Sequence, residues 1–285
     1  MKTTRFSVVL AALAVTAAPA LSQLSTPLPS PNATVSQMVG MTKIEVVYSR
    51  PSVKGRTIWG ELVPWDKVWR TGANAVTKIT LDGDVMVEGQ KLAAGAYGLY
   101  TIPGKTEWTI IFNTVSTGGP DYVAEKDALK VKVKPVAADM KELFTIGFPA
   151  VTSEGATLAF SWEKLRVPVA ITVDTKAQFL AKAKDAVAKA KADDWQTPLT
   201  AARYLYDNKY AQDEAGAWID KSIAVKPTFG NQNVKANALA AAGKPKDAVA
   251  MAEKALAAAA AAPADMKPSP EAIAALEKKI AEWKK

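Results

Sequence analysis

The chain has 285 residues, of which 49% are hydrophobic and 22% charged, with a formal net charge of +8 and neither histidine nor cysteine. These proportions are those of a globular protein long enough for two domains. The two absences exclude Ser-His-Asp, Cys-His and His- or Cys-ligated metal chemistry, as well as disulfides. Catalysis would fall to carboxylates, Lys, Tyr or a hard metal held by oxygens; neither a cofactor nor a metal is expected.

Lys2 and Arg5 precede an apolar run over residues 6–18, and small residues follow at Ala20 and Ser22. A basic start, a short apolar core and small residues at the end make a secretory signal, with cleavage expected after Ser22 and residues 1–22 removed. The run is too short to span a bilayer comfortably. The expected location is therefore outside the inner membrane, periplasmic or secreted. Without Lys2 and Arg5 the charge falls to +6, spread thinly as lysines. No compact basic stripe interleaved with aromatics points to nucleic acid.

From Asn32 to about Val173 the apolar period is two. Ile44, Val46 and Tyr48 form one inward set, and Thr77, Ile79 and Leu81 another. Asp82-Gly83 reads as a tight hairpin and Glu88-Gly89 as a second turn. Asp84 would complete a calcium-like Asp82-Gly83-Asp84, but the full ligand spacing and distal Glu are missing. Residues 97–102 read as a strand, Pro103-Gly104-Lys105 as a turn, and Trp108, Ile110 and Phe112 as the inward face of the returning strand. Thr117-Gly118-Gly119-Pro120-Asp121 lacks the ending of a phosphate loop and reads as a surface excursion. Val131 and Val133, then Phe144-Ile146-Phe148, Leu158-Phe160-Trp162 and residues 167–173 complete about nine short strands. That succession predicts an antiparallel β-sandwich, jelly-roll or Ig-like, over residues 23–174.

Residues 50–75 interrupt the alternation with three Trp and three Arg, and read as a long crossover on one face or end of the sandwich. Arg50, Arg56 and Arg70 offer guanidinium forks for anions, and Trp59, Trp65 and Trp69 offer flat apolar surface for a sugar or cation. Thr71 and Asn74 would complete a polar turn. These eight residues form the candidate ligand site, for a small anionic or carbohydrate-like molecule. The competing reading makes the three indoles a plug for the open end of the sandwich, their N–H groups on backbone carbonyls, with Arg50 and Arg70 paired to Glu61, Asp66 or Glu45. Glu61, Asp66, Asp121, Glu125 and Asp127 are scattered carboxylates from which an acid–base pair would have to come.

After Thr175 the period becomes about 3.6, and residues 175–285 read as a helical, tetratricopeptide-like hairpin stack. Phe179, Ala183, Val187 and Ala190 share one stripe; Leu199, Ala202 and Leu205 share another. Ala215, Ile219 and Pro227 recur as Ala248, Ala252 and Ala260, 33 residues on. Gly243-Lys244-Pro245 marks the turn within the second pair, and a last helix from about Pro270 caps the stack. Trp195, Tyr204, Tyr206, Tyr210 and Trp218 read as packing between helices, or as a groove for a protein partner.

The blocks Tyr48-Ser49-Arg50-Pro51-Ser52-Val53-Lys54-Gly55-Arg56, Leu62-Val63-Pro64, Val68-Trp69-Arg70-Thr71-Gly72-Ala73-Asn74, Ala94-Gly95-Ala96-Tyr97, Thr101-Ile102-Pro103-Gly104 and Glu107-Trp108-Thr109-Ile110-Ile111-Phe112-Asn113 resemble, in order, a family of exported bacterial proteins known as domain of unknown function 2911. The resemblance covers Ser30 to about Ile171, about half the chain. It implies an exported β-domain and brings no activity, cofactor or catalytic residue with it. The functional expectation is an envelope binding or scaffold protein, with an unknown ligand at the Arg/Trp crossover and protein contacts through the helical tail. The alternative is a glycan hydrolase or lyase working with carboxylates alone.

Overall fold

The computed structural model describes residues 26–117 and 122–285. The signal-sequence expectation and four residues of the glycine-containing excursion, 118–121, lie outside the described residues.

Alternating burial builds the strands. In β2 (Thr42–Ser49) Ile44, Val46 and Tyr48 are buried while Lys43 and Val47 are exposed. β1 (Asn32–Val39), β2, β3 (Thr77–Leu81), β6 (Gly95–Ile102), β7 (Trp108–Asn113) and β8 (Asp127–Val133) form a six-stranded antiparallel sheet in the order β1-β2-β3-β6-β7-β8. β4 (Val85–Val87), β5 (Gln90–Leu92), β9 (Val136–Val151) and β10 (Gly155–Thr172) form a second sheet in the order β5-β4-β10-β9. The inner faces share one core, from Ile44, Ile79 and Phe112 on one side to Phe144, Phe160 and Val169 on the other. Tyr48 ties the sheets together with its hydroxyl, which accepts from the Ile146 N–H at 3.0 Å.

Two sequence expectations change here. Asp82-Gly83 is not a hairpin: β3 pairs with β2 and β6, whereas β4 pairs with β5 and β10, so this turn carries the chain from one sheet to the other. Asp82 instead locks the corner by accepting from the Lys43 N–H at 2.6 Å, and Asp84 accepts from the Ala94 N–H at 3.0 Å. Glu88-Gly89 is the true two-residue hairpin, both residues having positive φ (46° and 75°), which matches the twist of the flanking strands. The second change is length. β9 and β10 are one hairpin of 16- and 18-residue strands. The sets Leu158-Phe160-Trp162 and 167–173 belong to one strand, joined across a bulge at Glu163 with φ 52°. A bulge shifts the inward parity by one residue, so a continuous strand reads as two.

Two residues beyond β10 the helices begin: α1 (Thr175–Lys189), α2 (Gln196–Asp207), α3 (Gln212–Val225), α4 (Phe229–Ala241), α5 (Pro245–Ala261) and α6 (Pro270–Trp283). Asp174 opens α1, its carboxylate accepting from the Ala177 N–H, and a capping box of Thr228 and Asn231 opens α4. Ala215, Ile219, Ala248 and Ala252 are buried at equivalent places in α3 and α5. Small side chains there let the paired helices approach closely. The fold is thus α+β, a two-sheet antiparallel sandwich followed by a six-helix tail. No described helix is long and apolar enough to cross a membrane.

Candidate functional site

The crossover over residues 50–76 begins as an addition to a sheet edge. β9 is the outer strand of its sheet, and Val53 N–H donates to Glu142 O at 2.8 Å while Phe144 N–H donates to Pro51 O at 2.9 Å. Arg50 extends this seam: its Nε donates to Phe144 O at 3.0 Å and its terminal amine to Thr145 Oγ1 at 2.7 Å. The second half is stitched to the other sheet, where Trp69 and Thr101 exchange backbone hydrogen bonds at 2.7 and 2.9 Å. The crossover therefore straddles one end of the sandwich and covers an otherwise open strand edge.

Between the two seams lies an aromatic cluster. Trp59 meets Trp65, Trp69, Trp108 and Trp162, with ring centroids 6.5, 6.0, 5.0 and 5.8 Å away. Trp69 also meets Phe144 at 5.2 Å. Trp108 and Trp162 are fully buried, while the three crossover indoles are half-buried.

The eight candidate residues are thus brought to one end of the molecule, and most of their polar atoms are used internally. Arg56 curls back on its own turn, its Nε on Val53 O at 3.0 Å. Trp69 Nε1 donates to Gly72 O at 3.1 Å. Thr71 is fully buried against the Thr101 hydroxyl, and Asn74 Nδ2 donates to Ser30 O at 3.0 Å. The plug reading needs two corrections. Arg50 is anchored by a carbonyl and a hydroxyl instead of a carboxylate, because the edge of β9 presents unpaired carbonyls where the guanidinium arrives; Glu45 is taken by Lys43 at 2.8 Å. Only some indoles find carbonyls, and Nε1 of Trp59 and of Trp108 is buried without a hydrogen-bond partner among the described residues. Arg70 pairs with no carboxylate among the described residues, and its buried Nε is likewise unpartnered.

Asp121 lies outside the described residues, and the other four expected carboxylates show no sign of an acid–base pair. Glu61 and Asp66 are exposed. Asp127 is held by Asn113 at 2.7 Å and Lys130 at 2.8 Å. Every carboxyl group with a displaced pKa moves down: Glu45 through its hydrogen bond to Lys43, Asp84 through Lys91, Asp194 through Thr197, Glu214 through Lys184 and Glu271 through Ser269. A general acid at neutral pH needs the opposite shift. Among the described residues no three His, Cys, Asp or Glu side chains are grouped to hold a metal.

None of the five clefts measured among the described residues is lined by the crossover. The roomiest of them, about 850 Å³, lies in the helical tail between α2, the α2–α3 turn, α4 and α6. Arg203, Tyr206 and Asp207 enter it from α2, Val234, Asn237 and Ala238 from α4, and Lys279 from α6. Lys279 Nζ donates to Asn237 Oδ1 at 2.6 Å, and Asn237 Nδ2 donates to the Asn233 carbonyl at 2.7 Å, so α6 is tied across α4. Burial, with the Asp220 charge second, raises the Tyr206 hydroxyl above its ordinary pKa and keeps it a neutral donor. Two further clefts, of about 340 and 570 Å³, share Met41 and Phe179 where the β1–β2 turn meets α1 and α2.

Of the cleft residues, Tyr206 alone figures in the sequence reading of a groove. The 33-residue repeat is legible in the sequence, but its consequence is not: once Ala215 and Ala248 pack inward, the first helix of each pair is left to present its other face. The aromatics expected as packing do pack. Phe179 lies 3.7 Å from Tyr204 between ring centroids, and Trp218 is buried in the core of the first helical pair.

Fold and surface together define an antiparallel β-sandwich with a plugged end, followed by a stack of helical hairpins that carries a cleft. Residues 30–171 match the family described as "Protein of unknown function (DUF2911)", and this part of the chain belongs to it. No curated protein and no solved structure matches the chain. The motif blocks that carry the resemblance include Tyr48, which joins the two sheets, and Arg50, Trp69 and Thr71, which stitch the crossover to them.

Proposed function

We propose that the chain is an exported envelope protein, periplasmic or secreted, that binds or scaffolds a protein partner through its helical tail while the sandwich serves as a rigid platform. The observation that carries this reading is the cleft across α2, α4 and α6. Stacked helical hairpins commonly use such concave surfaces for recognition, and here the cleft has donors, cations and apolar surface unspent by the fold. Export is supported by the basic, apolar and small-residue succession at the start of the chain. A small-ligand role for the crossover has less behind it, because its candidate groups are largely engaged within the fold; the Arg70 guanidinium and the Trp59 indole N–H are the exceptions among the described residues.

The test is site-directed photocrosslinking in envelope fractions. A photoreactive residue replacing Tyr206 should give a discrete adduct that disappears when Ala241→Trp fills the cleft, whereas one replacing Lys105 on the sandwich should give none. Recovery of the chain in the cytoplasm, or equal crosslinking from both positions, overturns the proposal.

A further inference from the structure

The cleft between α2, α4 and α6 has a charge imbalance that specifies its occupant more narrowly. Three cations line it, Arg203, Lys209 and Lys279, against one carboxylate, Asp207. None of the three cations has a carboxylate within ion-pair distance among the described residues. Elsewhere on the tail some lysines do find partners: Lys184 with Glu214 and Lys284 with Glu253, each at 2.9 Å, and Lys235 with Asp220. What sets the cleft apart is that three cations without such a partner among the described residues meet in one concave surface beside a single carboxylate.

The cations are also partly placed in advance. Lys279 is held on the Asn237 amide oxygen at 2.6 Å, and that amide is oriented by its own bonds to Asn233. An ammonium has three donors, so two remain for an incoming anion. Arg203 stands on α2 across the cleft, with no carboxylate at ion-pair distance among the described residues, and Val234, Ala238 and Tyr206 add apolar surface to the lining. Helices that pack about 8–10 Å apart make a trough across three of them about 20 Å long, the reach of about six extended residues.

We infer that this cleft is a docking site for an acidic, extended peptide segment of a partner protein, its carboxylates on Arg203, Lys209 and Lys279 and its small apolar side chains against Val234, Ala238 and Tyr206. The inference rests on the reading of the tail as a protein-binding module and adds the chemistry of the partner. Nucleic acid, the other polyanion, fits less well: the cleft offers one aromatic ring, whereas single strands are held by successive stacking surfaces along a basic groove.

The experiment is fluorescence anisotropy on the full chain with three fluorescein-labelled probes: an eight-residue peptide of alternating Glu and Ala, its Lys/Ala counterpart, and an eight-nucleotide oligothymidylate. The acidic peptide should bind, weaken steeply with added salt, and lose at least about tenfold in affinity in the Arg203→Gln/Lys279→Gln double variant. A double variant of equal charge change on the sandwich, Lys105→Gln/Lys134→Gln, should bind as the parent does. All four positions are exposed, and thermal melts of both variants verify folding. Binding of the Lys/Ala peptide that Ala241→Trp abolishes overturns the acidic preference and leaves the protein-binding reading standing. Oligothymidylate binding as tight as the acidic peptide's, or equal losses in both double variants, also overturns the inference. No binding of either peptide, together with no crosslink from position 206, removes both readings.

Discussion

The indole of Trp69 lies nearly parallel to that of Trp162, with ring centroids 5.9 Å apart and planes inclined by 17°. One ring belongs to the crossover and the other to β10, so the contact joins the segment that closes the sandwich to the longest strand of the smaller sheet. Trp59 stands edge-on to both, at 78° and 86°. Removing Trp69 would open a void against Trp59, Phe144 and Trp162 at once.

Trp69→Ala should therefore cost about 3 kcal/mol of stability, the lower end of the range for truncating a large aromatic because Trp69 is half-buried. The measurement is the midpoint of urea unfolding at an unchanged slope. A loss below about 1 kcal/mol would mean that the cluster repacks freely and that the crossover is not fixed by its indoles.

Arg50 and Arg70 look equivalent in sequence and should behave in opposite ways. Arg50 makes two hydrogen bonds to β9; Arg50→Ala gives both up and should lower stability by about 1–3 kcal/mol. Arg70 carries a buried Nε with no acceptor among the described residues. Arg70→Met keeps most of the apolar stem and removes an unsatisfied donor, so it should be neutral or slightly stabilising. Parallel thermal melts decide the matter. A large loss for Arg70→Met would mean that Arg70 has an acceptor it needs, which would return the crossover to consideration as an anion site.

Much of this arrangement is legible in the residues, and the failures have identifiable physical causes. Alternation at Ile44, Val46 and Tyr48 and at Trp108, Ile110 and Phe112 places the strands, because one buried face forces a period of two. The 33-residue recurrence places the helical hairpins because small residues must return to each contact. Asp82-Gly83 misleads because turn chemistry is local, whereas the sheet that the next strand joins is decided by long-range pairing of β4 with β10. The guanidinium groups of the crossover read as binding groups because sequence shows donors and hides acceptors: the carbonyl of Phe144 that receives Arg50 lies 94 residues away. The cleft is the hardest to see, since Arg203 and Lys279 come together only when α6 folds back over α4.

Gly40 controls how the sandwich meets the tail. It turns the chain between β1 and β2 with φ 55°, and a side chain there would overlap the Thr175 hydroxyl and approach Ser153 O at 2.9 Å. Thr175 opens α1 and donates to that same carbonyl at 2.6 Å. Gly40→Ala combines left-handed strain with a collision at the junction, and should cost about 2 kcal/mol. It should also raise hydrogen exchange in the first turn of α1 while leaving the core strands β6 and β7 protected. Uniformly faster exchange throughout the chain would show that the junction does not open separately from the rest.

The pH dependence of stability should show a wide plateau. The displaced carboxyl groups, Glu45, Asp84, Asp194, Glu214 and Glu271, all have folded pKa values below their ordinary ones. Their contribution is complete above the unfolded values near 4 and is lost as pH falls through the lower folded values. Tyr97, Tyr122 and Tyr206 are raised by burial first, and Lys43, Lys91, Lys130 and Lys132 by hydrogen bonds to their carboxylate partners. That contribution is complete below the unfolded values near 10 and disappears as pH rises through the higher folded ones. With no histidine in the chain, no side chain with an ordinary pKa between those limits exists to titrate. The melting temperature at constant ionic strength should stay within about 2 °C from pH 5.5 to 8.5, with losses only outside that window. Asp194 holds the Gln196 and Thr197 N–H groups at 3.0 and 2.9 Å at the start of α2. Asp194→Asn retains an acceptor oxygen there without the titration, so it should make the acid limb shallower and leave the plateau intact. A slope inside the plateau would require a strongly displaced carboxyl or lysine in the fold, and with it a candidate acid–base group that would revive the hydrolase alternative.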